Sequence, residues 1–220
     1  TGEINSDGGD IEIYGVSTDA EGLTFRGGFL NGIVSAGGSI DLTGYGVTAG
    51  ALLVGSGYGN NNIDSGGGLI TIIGTASAAD AVGVELSDLE VIAWAGDVVI
   101  DGSAAAGIGI LFEDGASVST TTGAIGLYGT GADFGLDITD GALDTDSGDI
   151  TLEGTATAAT AIAGVRVTGP GLVTNGGDIT VTGSSAGGVG VQLGDGGAFA
   201  SAGGGGAIII DGTGIDGGVL

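Results

Sequence analysis

The chain has no cysteine, histidine, methionine or lysine, and Pro170 is its single proline in 220 residues. Each absence removes a class of chemistry. Without cysteine there is no disulfide framework and no thiolate site. Without histidine or lysine, the usual partners that activate a serine or move a proton are missing, which excludes nearly all nucleophile–base arrangements. Positive charge is almost gone as well. Arg26 and Arg166 stand against 27 acidic residues, for a net charge of −25. Nucleic-acid binding needs basic patches that displace counterions, so it is excluded, and anionic membrane surfaces are disfavoured. No apolar run approaches the ~18 residues of a transmembrane helix, so no membrane span is expected. What this charge favours is solubility and the binding of cations.

Glycine is abundant instead, at 54 residues, a level often seen in disordered chains. Disordered chains are poor in apolar residues, whereas 42% of this one is apolar. Its isoleucines, valines and leucines also recur regularly. One phrase repeats: glycine, any residue, apolar, any, apolar, any, glycine. It opens at Gly9, Gly38, Gly68, Gly96, Gly123, Gly148, Gly177 and Gly206, at intervals of 25–30 residues. Alternation with period two is a strand signature, and a repeat of this length marks a solenoid. The inward pairs run from Ile11/Ile13 through Ile40/Leu42 and Ile125/Leu127 to Ile208/Ile210.

A second strand follows each phrase, opened by glycine, as in Gly109-Ile110-x-Phe112 and Gly135-Leu136-x-Ile138. A shorter third strand precedes the next phrase. Its apolar position is Ile33, Ile63, Val91, Val118, Leu143 and Leu172, and it shifts to Phe199 in the last unit, where Gly203–Gly206 carries two extra residues. These units predict an all-β protein. It is a right-handed parallel β-helix, or β-solenoid, of about eight coils, each of 25–30 residues with three short strands. At ~4.8 Å per coil the stack is about 40 Å long. Ala76–Ala81 contains helix formers but falls in the turn between the phrase and the second strand.

Residues 1–220 read as one solenoid domain that begins in a third strand and stops after a second strand, in matching phase. Solenoid ends normally carry caps, and none is evident. The expectation is a segment or polymerising unit of a longer rod, whose exposed coil ends pair with a neighbour head to tail.

The phrases GGDIEIYG, SGDITLEG and GGDITVTG resemble the repeats of filamentous-haemagglutinin-like secreted bacterial proteins. That resemblance covers nearly the whole chain. It implies a rod-like β-helix at the bacterial cell surface or outside the cell, with roles in adhesion, biofilm or surface fibres. The family's Asn-Pro-Asn-Gly secretion motif is absent, and no functional residue carries over.

The expected function is therefore a structural, non-catalytic shaft of an extracellular filament or adhesin, with itself as principal partner. The alternative is a surface module that binds Ca²⁺ or cell-surface glycans. For Ca²⁺, the candidate ligands are Asp88, Asp114 and Asp140, two residues past the second strand in three successive coils, with Asp195 later. Stacking sets such residues about 4.8 Å apart, where oxygen ligands can bridge through Ca²⁺. Asp-Gly pairs at three of the four positions equally suit turns whose carboxylates accept backbone N–H bonds. Asp149 and Asp178 form a second acidic pair. No cofactor is required. Arg166 and Asp137 share the outward position of the second strand in adjacent coils, which predicts an exposed lateral ion pair worth under about 1 kcal/mol. Tyr14 and Tyr128 point outward four coils apart, too far to form a continuous sugar-stacking platform. Leu52, Leu111, Ile73 and Ile209 are also expected to point outward.

Overall fold

The computed structural model describes residues 3–27, 32–55, 62–169, 171–194, 199–201 and 204–220. Among these residues every strand pair is parallel and no helix occurs. The chain winds as a right-handed β-solenoid. Its third strands form one sheet of eight, from Ile4–Asn5 to Phe199–Ser201. The phrase strands and second strands make up the other sheet.

The register follows the repeat. Ile11 pairs with Ile40, Ile40 with Ile70, Ile70 with Val98, and so on to Ile179 with Ile208. In the second strand Leu53 pairs with Leu86, Leu86 with Phe112 and Phe112 with Ile138. Val118 pairs with both Val91 and Leu143 in the third, and Leu172 with Phe199. These inward columns meet in one continuous apolar core, fully buried through the middle rungs.

The strand count per rung departs from three in two places. Ile70–Ser87 and Val98–Glu113 each run as one long strand through the phrase, the turn and the second strand. Ala76–Ala81 is therefore extended. Its alanines pair with Ala104, Ala106 and Gly107 on the next rung, with register shifts that absorb the bend.

Glycine is required where backbones touch. The glycine closing each phrase faces the glycine opening the second strand of the same rung. A Cβ on Gly129 would lie under 3.0 Å from the Gly135 carbonyl, and one on Gly135 equally close to the Thr155 amide. These facing columns pinch the rung between the main core and a small second cluster of Phe134, Ala163 and Val189. A third column is the glycine that opens the phrase, where from Gly38 to Gly177 the Cβ position is blocked by the carbonyl of its counterpart one rung below.

The second strand differs from the expected alternation. All five residues of Phe134–Ile138 are buried, and Ala49–Val54 is buried at five of six positions. Both faces of this strand are covered, as in other parallel sheets. Leu52 is accordingly buried rather than outward-exposed, while Ile209 on the last rung is exposed.

Candidate functional sites

The corner between the third strand and the phrase is built from polar side chains. Three residues before the opening glycine, six rungs carry a hydroxyl. Ser6 and Ser35 donate to the carbonyls of Gly9 and Gly38. Ser65 donates to that of Gly68 at 2.6 Å, and Thr120 to that of Gly123 at 2.6 Å. The hydroxyls of Thr145 and Thr174 accept the amides of Gly148 and Gly177 at 2.8 and 2.9 Å. Ser35, Ser65, Thr145 and Thr174 are fully buried, so the bonds satisfy groups that have lost water. The column is visible in the sequence as a Ser or Thr at one fixed offset, a signal that the apolar pattern overshadowed. In the fourth rung the position is Ala93.

The aspartate after the opening glycine does related work. Asp149 Oδ1 accepts the backbone N–H of Asp178 at 2.8 Å, and Asp178 Oδ1 accepts that of Ala207 at 2.7 Å. Asp10 and Asp97 bond Ser39 and Ala124 in the same way. Asp149 and Asp178 thus tie one rung to the next.

Asp88, Asp114 and Asp140 occupy equivalent corners of successive rungs. Asp88 and Asp114 adopt left-handed backbone (φ 51° and 53°), and Gly115 follows Asp114 at φ 78°. Two consecutive positive φ angles are the geometry of a type I′ turn. Asp114 Oδ2 accepts a bond from Ser87 Oγ at 3.0 Å, and the Asp140 carbonyl accepts the Gly115 amide at 2.7 Å. Among the described residues no three acidic side chains converge as a metal-holding group. Asp88 and Asp114 sit in turns, as the Asp-Gly pairs suggested for Asp114. Asp195 lies outside the described residues.

The outer face of the second strand carries the strongest electrostatics. Arg166 Nε donates to Asp137 Oδ1 at 2.7 Å, and Arg166 Nη2 donates to Asp137 Oδ2. The guanidinium also stacks over the Phe134 ring, 4.1 Å from its centroid. The Asp137 side chain is 3% exposed and that of Arg166 28%. The pair exists as expected, but it is not an exposed one. Arg166 covers the Asp137 carboxylate and is itself backed on one face by the Phe134 ring. Two rungs earlier in the same column, Glu85 pairs laterally with Leu52 and Leu111. Burial raises its carboxyl above the ordinary range, and Glu113 adds to the rise. Burial likewise raises Glu113, with Asp114 and Asp137 contributing.

A recess of about 220 Å³ opens on the outer face of the third-strand sheet. Glu90, Ile92, Trp94, Ser119, Asp144 and Asp146 line it. Trp94 is 51% exposed and has φ 52°. Its Nε1 donates to Asp64 Oδ1 at 3.1 Å. A register shift between Ser119 and Thr120 marks this bulge. Tyr14, by contrast, contacts Tyr45 on the next rung, with ring centroids 5.7 Å apart.

Comparison with known proteins finds no matching family model, no matching curated protein and no matching solved structure. The likeness to filamentous-haemagglutinin-like repeats therefore rests on the repeated phrase alone. No helix among the described residues is long and apolar enough to cross a membrane.

Proposed function

We propose that this chain is a non-catalytic structural element, a β-solenoid shaft of an extracellular bacterial filament or adhesin whose rungs continue head to tail. The observation that carries this reading is the state of the two outermost rungs. Ile179 and Val191 are fully buried, whereas one rung on, Ile208 is 43% and Val219 45% exposed. At the opposite end Ile4 of the third-strand column is exposed and Ile13 is only partly buried. Among the described residues the strands Ile11–Val16 and Ile208–Thr213 each have a ladder partner on one side only. An unpaired strand edge with an open apolar column is a template for another strand. A further rung in the same register, from additional chain or from a second copy, satisfies both. The rest of the surface supports a shaft, since uniform short rungs leave little room for the loops of a catalytic cleft.

Electron microscopy and fibre diffraction of the purified chain test the reading. The expected result is filaments with a ~4.8 Å rung spacing and an axial repeat of about 40 Å for eight rungs. Salt should promote assembly by screening the charge. A protein that stays monomeric at high concentration, in both low and high salt, would overturn it.

A further inference from the structure

We infer that the recess around Trp94 binds a sugar ring that is neutral or carries an amino group. This deepens the glycan-binding alternative by naming a site. It does not depend on stacking between rung ends, so its failure leaves the shaft reading standing.

The fourth rung gives up the buried hydroxyl at Ala93 and places Trp94, a bulky residue, in left-handed backbone. That conformation is an outlier for such a side chain. The result is the one tryptophan of the chain held on the outside, with its indole N–H anchored by Asp64 and its backbone carbonyl accepting the Thr121 hydroxyl at 2.8 Å. The Asp64 bond holds the side chain and the Thr121 bond holds the backbone beneath it, leaving an exposed indole beside the recess.

The surroundings supply hydrogen-bonding groups. Ile92, Ser119 and Asp144 form one outward column across three rungs. Glu90 and Asp146 complete the lining. Asp146 is already oriented by Asn175 Nδ2 at 3.3 Å. A pyranose ring presents C–H groups on one face and hydroxyl donors around its edge. The indole and Ile92 suit the first, and the carboxylates suit the second, because ionised carboxylates accept strong hydrogen bonds. The volume lies below the ~300–1,000 Å³ of drug-sized pockets, which fits a single ring.

Charge narrows the class. Glu90, Asp144 and Asp146 face the recess, and Arg166 is committed to Asp137 on the other sheet. A uronic or sialic acid would bring a further negative charge with no partner. An amino sugar would gain from the same carboxylates.

The single tryptophan makes the test direct. Its fluorescence is titrated with cello-, galacto- and chito-oligosaccharides, with deacetylated chito-oligosaccharides as the amino sugars. Oligogalacturonate is the anionic control and oligolysine the cationic one. The expected result is a saturable spectral change with at least one neutral or amino sugar, and none with oligogalacturonate. The double variant Asp144→Asn/Asp146→Asn should weaken that binding by about tenfold with an unchanged melting temperature. Tyr14→Ala should leave it unaltered. No response to any of these sugars would overturn the inference. So would a response to oligolysine alone, which would make the recess a site for basic chains.

Discussion

Arg166 lays its guanidinium along the carboxylate of Asp137 one rung below and covers the Phe134 ring with the same group. One side chain thus neutralises an almost fully buried charge and closes the small second cluster. Arg166→Ala leaves Asp137 buried without its counter-charge and should cost about 3 kcal/mol, as for other broken buried pairs. Arg166→Lys keeps the charge but loses the fork and the stacking, so it should recover only part of that loss. Equilibrium denaturation of both variants measures the difference. A loss under about 1 kcal/mol for Arg166→Ala would return the pair to the class of exposed surface bridges.

Mild acid should stabilise the fold. Glu85 and Glu113 have carboxyls raised above their ordinary range, chiefly by burial. Between the unfolded and folded values the native state holds more protons than the unfolded one. Their contribution is therefore complete below the unfolded pKa and is lost as pH rises through the folded value. Relief of repulsion in a chain of net charge −25 acts in the same direction. Thermal midpoints should rise as the pH falls from 7 to about 5. Glu85→Gln should raise the midpoint at pH 7 and flatten the profile. A midpoint that drops steadily over this interval contradicts the assignment.

The carboxylate of Asp149 should act as a hydrogen-bond acceptor rather than a metal ligand. Asp149→Asn retains an oxygen for the Asp178 amide and should be nearly neutral, whereas Asp149→Ala should cost about 1 kcal/mol. A chelator should leave the melting temperature of the native protein unchanged. A large fall on chelation would show a structural cation, for which Asp88, Asp114 and Asp140 are the candidate ligands.

Two glycine-to-alanine variants should separate packing from backbone strain. Gly129→Ala drives a methyl into the Gly135 backbone and the Leu136 side chain, and should cost roughly 3 kcal/mol or more. Gly115 has φ 78° with open space at its Cβ position, so Gly115→Ala should cost only about 1–2 kcal/mol of conformational strain. Equal losses would remove the close-packing account of the paired glycine columns.

The rung grammar was legible in the sequence because it is local. Period-two alternation names the inward residues of a strand, and fixed spacing sets their register. That is why Ile40 lies between Ile11 and Ile70, and why Leu172 meets Phe199 despite the shifted spacing. The lateral meeting of Arg166 and Asp137 followed from the same register. Its energetic character did not. Whether an outward position is wet depends on what covers it, and the cover here includes the Phe134 ring of the preceding rung, stacked on Arg166. The same reason hid the desolvation of Glu85 between Leu52 and Leu111. It also hid the recess at Trp94, which exists only where a backbone bulge meets side chains from the two following rungs. The sequence by itself determined the stack, its columns and its charge, because those depend on spacing along one chain. Only the tertiary structure decided which polar groups lost water and which aromatic ring kept it, because burial belongs to neighbours far apart in the chain.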